Sequence, residues 1–146
     1  MTACGRSNKS LGEFSYTLGL GNTAAGYSGM ALGNGAKSIS GWEIALGRNN
    51  TEYVANDTAG WHPNDRLFVI GNGSSSRFRS DALKIMKDAR TGINLDTVPR
   101  EKLHVNGAAR VEKTTTHPNP KTLYGNSTPL AYGFINAPGD VRLGAY

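Results

Sequence analysis

The pair Leu-Gly returns at Leu18-Gly19, Leu32-Gly33 and Leu46-Gly47, a spacing of 14 residues, and Cys4-Gly5 stands one period upstream. A fixed period constrains a fold strongly, because each repeat must be one structural unit that stacks on its neighbour. In this register the residue before each pair is always small: Ala3, Thr17, Ala31 and Ala45. Three residues beyond the Gly stand Asn8, Asn22, Ala36 and Asn50, followed two further on by Ser10, Ala24, Ser38 and Glu52. Gly12, Gly26 and Ser40 share a turn column, and Tyr16, Met30 and Ile44 close the period.

Fourteen residues are too few for a helix plus a strand, and helical solenoid units run to about 33 to 47 residues. Gly in every period also weighs against helix. Two short strands and two tight turns fit the length, at a rise of ~3.3 Å per residue. Gly supplies positive φ at the turns, and Asn tolerates it next best. Small residues alternating with Leu suit a thin coil that admits few large side chains. In the Leu column, Cys4 therefore reads as a buried small hydrophobe and not as a reactive thiol.

The run LGLGNTAAGYSGMALGNGAKSISGWEIALGRNN, within about residues 3-52, resembles the head repeats of trimeric autotransporter (YadA-like) adhesins. That resemblance implies a left-handed parallel β-roll, packed side by side in a homotrimer as a stiff surface or fibre element. The chain departs from the family pattern at Ser40-Gly41-Trp42-Glu43 and at Cys4.

Residues 49-65 are polar, contain Pro63 and break the period. Arg66 to Gly71 is a compact apolar strand closed by the turn signal Asn72-Gly73. With Ala82 to Lys87 it predicts a hairpin whose tip, Ser74 to Ser80, carries Arg77-Phe78-Arg79. Further on, Thr91-Gly92-Ile93 and Pro99-Arg100-Glu101-Lys102-Leu103-His104-Val105-Asn106-Gly107 look like the neck segment of phage tail fibres and bacterial surface fibres. The chain then reads as a roll over 1-53, a connector over 54-65, a β-rich neck over 66-111, and a Thr- and Pro-containing linker with a partial β module over 112-146. It stops at Tyr146 without an obvious closing strand, as a piece of a longer fibre would.

Composition narrows the function. Hydrophobic residues are 38% and Gly numbers 19 of 146, so neighbouring coils or other copies must supply burial. A net charge of +5, from 16 basic and 11 acidic residues, is spread along the chain, and nucleic acid is not the expected partner. No segment approaches the ~18 apolar residues of a membrane helix, so no membrane insertion is expected. One Cys and the dispersed His62, His104 and His117 leave no metal set, and neither a P-loop nor a nucleophile elbow occurs. His62 with Asp65 and His104 with Glu101 could be drawn as acid-base pairs, but no nucleophile is near in sequence. No cofactor is expected.

Arg77, Phe78 and Arg79 combine cations with an aromatic and could stack on bases or sugars. The plainer expectation is an exposed tip with Phe78 tucked beneath it. Trp42, Tyr53, Trp61 and His62, with Tyr27, are further candidates for a sugar- or protein-binding surface, or for filling a subunit interface. The expected protein is an all-β, non-enzymatic trimeric fibre subunit: a left-handed parallel β-roll of 14-residue repeats followed by a β-hairpin neck. Attachment or receptor binding by a tail fibre of a phage or phage-like particle is the expected role, with weak sites made multivalent by trimerisation. Its partners would be other fibre or baseplate subunits and a host or cell-surface glycan or protein. The location would be the virion tail fibre or the bacterial cell surface, in either case extracellular. A bacterial cell-surface trimeric adhesin is the alternative. A glycan-cleaving tail spike would need paired carboxylates, and the repeat offers only Glu13, Glu43 and Glu52.

Overall fold

The computed structural model describes residues 1–109, and the linker and partial module expected over 112–146 lie outside them. Within the described residues the chain is all-β, with no helix. Eleven strands follow in order: β1 (Thr2–Arg6), β2 (Lys9–Ser10), β3 (Tyr16–Leu20), β4 (Thr23–Ala24), β5 (Met30–Asn34), β6 (Lys37–Ser38), β7 (Ile44–Arg48), β8 (Arg66–Asn72), β9 (Asp81–Met86), β10 (Thr91–Ile93) and β11 (Leu103–Val105). They form an eight-stranded sheet, ordered β1-β3-β5-β7-β8-β9-β10-β11, and a short three-stranded sheet β2-β4-β6. Long and short parallel strands alternate along the chain, so each period is one coil of a β-roll.

The register is that of the repeat. Cys4 lies beside Leu18, Leu18 beside Leu32, and Leu32 beside Leu46, with the glycines aligned next to them. Gly5, Gly19, Gly33 and Gly47 all have φ between 88° and 132°. A Cβ at Gly19 would be driven into the Gly33 carbonyl, and one at Gly33 into the Gly47 carbonyl. The column is glycine both for its backbone angle and for the close approach of the next coil.

Asn cross-links the coils. Asn22 Nδ2 donates to Leu18 O at 2.9 Å and to Gly33 O at 2.8 Å, while its Oδ1 accepts from Ala36 N at 2.8 Å. Asn8 repeats this one coil earlier, and Asn50 bonds both the N–H and the carbonyl of Lys37. Ala36, in the same column, leaves one gap in the ladder.

The interior is thin, as the small column predicts. Ala24, Ala31, Ala36, Ala45 and Val69 form the apolar core, joined by the fully buried Thr17 and Ser38. Because side chains alternate along a strand, filling the interior with the small column turns the Leu column outward. This corrects the expectation for Cys4: it is exposed, on the outer face of the first coil.

Beyond Arg48 the chain leaves the roll and comes back. Strand β8 pairs in parallel with β7, placing Val69-Ile70-Gly71 beside Ala45-Leu46-Gly47. It is the next strand of the same sheet, offset by 24 residues instead of 14. The expected hairpin follows, with β9 antiparallel to β8 and a bulge on either side of the central pairs. Strand β10 adds antiparallel to β9, and β11 adds parallel to β10.

Candidate functional site

The outward Leu column becomes a surface. Cys4, Leu18, Leu32, Leu46, Ile70, Leu83, Ile93 and Val105 stand side by side across the eight strands. A second row beside it runs Tyr16, Met30, Ile44, Phe68 and Ile85. At a strand spacing of ~4.8 Å the face extends roughly 34 Å. Leu18 is 43% exposed and Met30 40%, so the single chain leaves apolar side chains in water along a continuous strip. Strips on this scale mark surfaces that meet another molecule.

Two of the sequence candidates, Tyr53 and Arg79, serve the fold instead of a ligand. The Tyr53 hydroxyl donates to Glu43 Oε2 at 3.0 Å, and the ring lies under Arg66, whose guanidinium carbon is 4.2 Å from the ring centroid. Burial, then the Glu43 carboxylate, holds the Tyr53 pKa well above its ordinary value. Arg66, 2% exposed, pairs with Glu43 at 2.8 Å and lies 3.8 Å from Asp81, which also pairs with Lys84 at 2.8 Å. Thr51 donates to the same Asp81 through both its N–H and its hydroxyl. The hub has two cations and two carboxylates, so its charges balance where unpaired burial would be costly. A cavity of about 120 Å³ beside it is lined by Tyr53, Arg66, Lys84, Met86 and Val98. Both of its cations are already paired.

Arg79 turns back onto the roll, donating to Gly35 O at 3.1 Å and Asn50 O at 3.0 Å and pairing with Glu52 at 2.8 Å. It ties the hairpin tip to the coils. The Lys37 ammonium, first through its hydrogen bond, holds the Glu52 carboxyl below its ordinary value. Arg77 and Phe78 remain at the tip, where Ser75 Oγ accepts from both their N–H groups at 3.3 and 3.2 Å. Phe78 is 72% exposed, so it is not tucked under the tip as the plainer expectation had it.

At a separate corner of the roll four aromatic rings stand in a row. Phe14 and Tyr27 have ring centroids 5.6 Å apart, Tyr27 and Trp42 5.4 Å, and Trp42 and Trp61 6.3 Å. Lys87 Nζ lies 5.2 Å from the Trp61 ring centroid. The period builds this row, since Phe14, Ser28 and Trp42 occupy one turn column with φ of 56°, 51° and 55°. Trp61 arrives from the segment between β7 and β8. That segment is pinned on Asp65, whose carboxylate accepts from Asn56 N, Asn56 Nδ2 and Asp57 N at 2.8 to 2.9 Å. Burial pushes the Asp65 carboxyl up, but these hydrogen bonds outweigh it and leave the pKa below the ordinary value. His62 sits beside the row, half-buried, accepting from Asn64 N at 3.3 Å through Nδ1.

Trp42 and Trp61 are thus brought together, while Tyr53 and Arg79 are taken inside and Arg77-Phe78 stands at another edge. Sequence reasoning passed over Phe14. The available signal was its place in the Trp42 column, two periods earlier. Comparison with protein-family models, with curated proteins and with solved structures finds no match for this chain.

Proposed function

We propose that the chain is a subunit of a non-enzymatic trimeric fibre used for attachment, as in the tail fibre of a phage or phage-like particle. The observation that carries this reading is the continuous apolar strip on the outer face of the eight-stranded sheet, present beside a core made largely of alanine. A chain that buries little inside itself and presents Leu18, Leu32, Leu46 and Ile70 outward gains its missing burial from other copies. Covering such a strip would remove its apolar surface from water at about 25 cal/mol per Å². The threefold count comes from the resemblance of the repeats to YadA-like heads, and closed symmetry would cover every copy's strip at once.

The roles of the parts follow. Coil-to-coil hydrogen bonds make the roll stiff, the hairpin continues its sheet, and trimerisation multiplies any site on the outer corners. The test is solution mass by light scattering during size exclusion, on the full chain and on a Leu32→Asp, Leu46→Asp double variant. The expected result is a mass near three chains, falling to one chain in the double variant with the β circular dichroism retained. A folded wild-type monomer would refute the reading.

A further inference from the structure

We propose that the row Phe14, Tyr27, Trp42 and Trp61 is a docking ridge for a linear, uncharged glycan. The proposal rests on the attachment reading above and names its ligand class and site. Four observations point the same way. First, Phe14 and Trp42 occupy left-handed backbone at φ of 56° and 55°, where a bulky side chain is a strained choice and Ser28 fills the equivalent position between them. Second, the strain is not offset by full core burial, since Phe14 is 65% exposed and Trp42 39%. Aromatics have been placed where folding alone favours Ser, Asn or Gly.

Third, the rings are spaced by the coils themselves, with successive centroids 5.4 to 6.3 Å apart and successive planes turned by 81°, 66° and 48°, so the ridge offers ring faces and ring edges in turn. Main-chain bonds hold the spacing: Tyr27 N donates to Thr58 O at 2.8 Å and Trp42 N to Tyr27 O at 2.7 Å. A row held rigid by the coils suits a stiff, extended ligand whose apolar faces recur along its length. Pyranose chains with equatorial hydroxyls meet that description, because their axial C–H groups form an apolar face that packs on aromatic rings. Preorganised rings lose little freedom on binding.

Fourth, the free charge next to the ridge in sequence is acidic. Glu13 is exposed and adjoins Phe14, whereas Asp57, whose main-chain carbonyl accepts from Gly41 N, spends its carboxylate on Ala59 N and Gly60 N. The cation at the row, Lys87, is 8% exposed and already lies against Trp61. Carboxylates accept hydrogen bonds from sugar hydroxyls and repel phosphate or sulfate, so an uncharged glycan is favoured over nucleic acid or an anionic polysaccharide.

Both tryptophans of the chain, Trp42 and Trp61, are in the ridge, so intrinsic emission reports on it alone. The experiment titrates the full chain with cellohexaose and chitohexaose, following tryptophan emission, and repeats this with Trp61→Ser and Phe14→Ser. A saturable blue shift with at least one sugar is expected, weakened 10-fold or more in each variant, with solution mass unchanged. Unchanged emission up to millimolar sugar overturns the proposal. So does loss of the oligomeric mass in Trp61→Ser, which assigns the ridge to a subunit interface. Trp61-dependent adhesion to cells that an excess of the bound hexaose does not inhibit overturns it in favour of a protein ligand. A monomeric wild type would sink the trimer and leave the ridge to be decided by emission.

Discussion

Replacing Asn22 by Ala tests whether the coils are held together by buried side-chain bonds or only by their main-chain ladder. Asn22 is fully buried and makes three hydrogen bonds, two donated to carbonyls of its own and the next coil and one accepted from Ala36 N. At roughly 1 kcal/mol net for each bond, the substitution costs about 3 kcal/mol. Sterics add nothing of note, because Ala36 already occupies this column one coil later. Asn8 is the internal control: it also makes three bonds, but in the exposed first coil, where water replaces its partners. Asn8→Ala is therefore expected to cost less than about 1 kcal/mol. The assay is equilibrium urea unfolding at one fixed chain concentration, since association shifts apparent stability. Equal losses in the two variants, or a loss under about 1 kcal/mol for Asn22→Ala, would refute the reasoning and leave the main-chain ladder as the source of coil cohesion.

Gly33→Ala carries a different penalty, because its Cβ meets the Gly47 carbonyl and its φ of 132° is foreign to alanine. It should unfold the roll or cost more than Asn22→Ala, whereas Gly21→Ala, at φ 65° with open space around it, should cost only about 1 kcal/mol; thermal melts of the two variants check the ranking. Asp65 sets an acid limb. Its folded pKa lies below the unfolded value, so the stability it contributes is complete above about pH 4 and is lost as pH falls through the folded pKa. Asp65→Asn should flatten that limb in a pH series of urea midpoints, and an unaltered limb would show that the carboxylate's bonds to Asn56 and Asp57 do not stabilise the fold.

Much of the roll was legible before any coordinates. The 14-residue period, the glycine column and the Asn column are local requirements, repeated in each coil, and the strands, turns and register follow from them. The hairpin was legible for the same reason, with Asn72-Gly73 lying between two apolar runs. Non-local decisions were not. Val69-Ile70-Gly71 matches the Ala-Leu-Gly pattern, yet the longer excursion before it hid its place as the next strand of the sheet. Which column faced inward depended on coil thickness: the interior has room for Ala and Thr, so the Leu column and Cys4 had to face out. Tyr53 and Arg79 looked like surface candidates because their partners, Glu43 with Arg66 and Gly35 with Asn50, are distant in sequence. The aromatic row joins one turn column to Tyr27 and to Trp61 from the excursion, a neighbourhood that exists only once the coils are stacked. The sequence alone determined the repeating unit, because its restraints act within one coil. Only the tertiary structure decided what faces water, because that depends on which coils and segments meet.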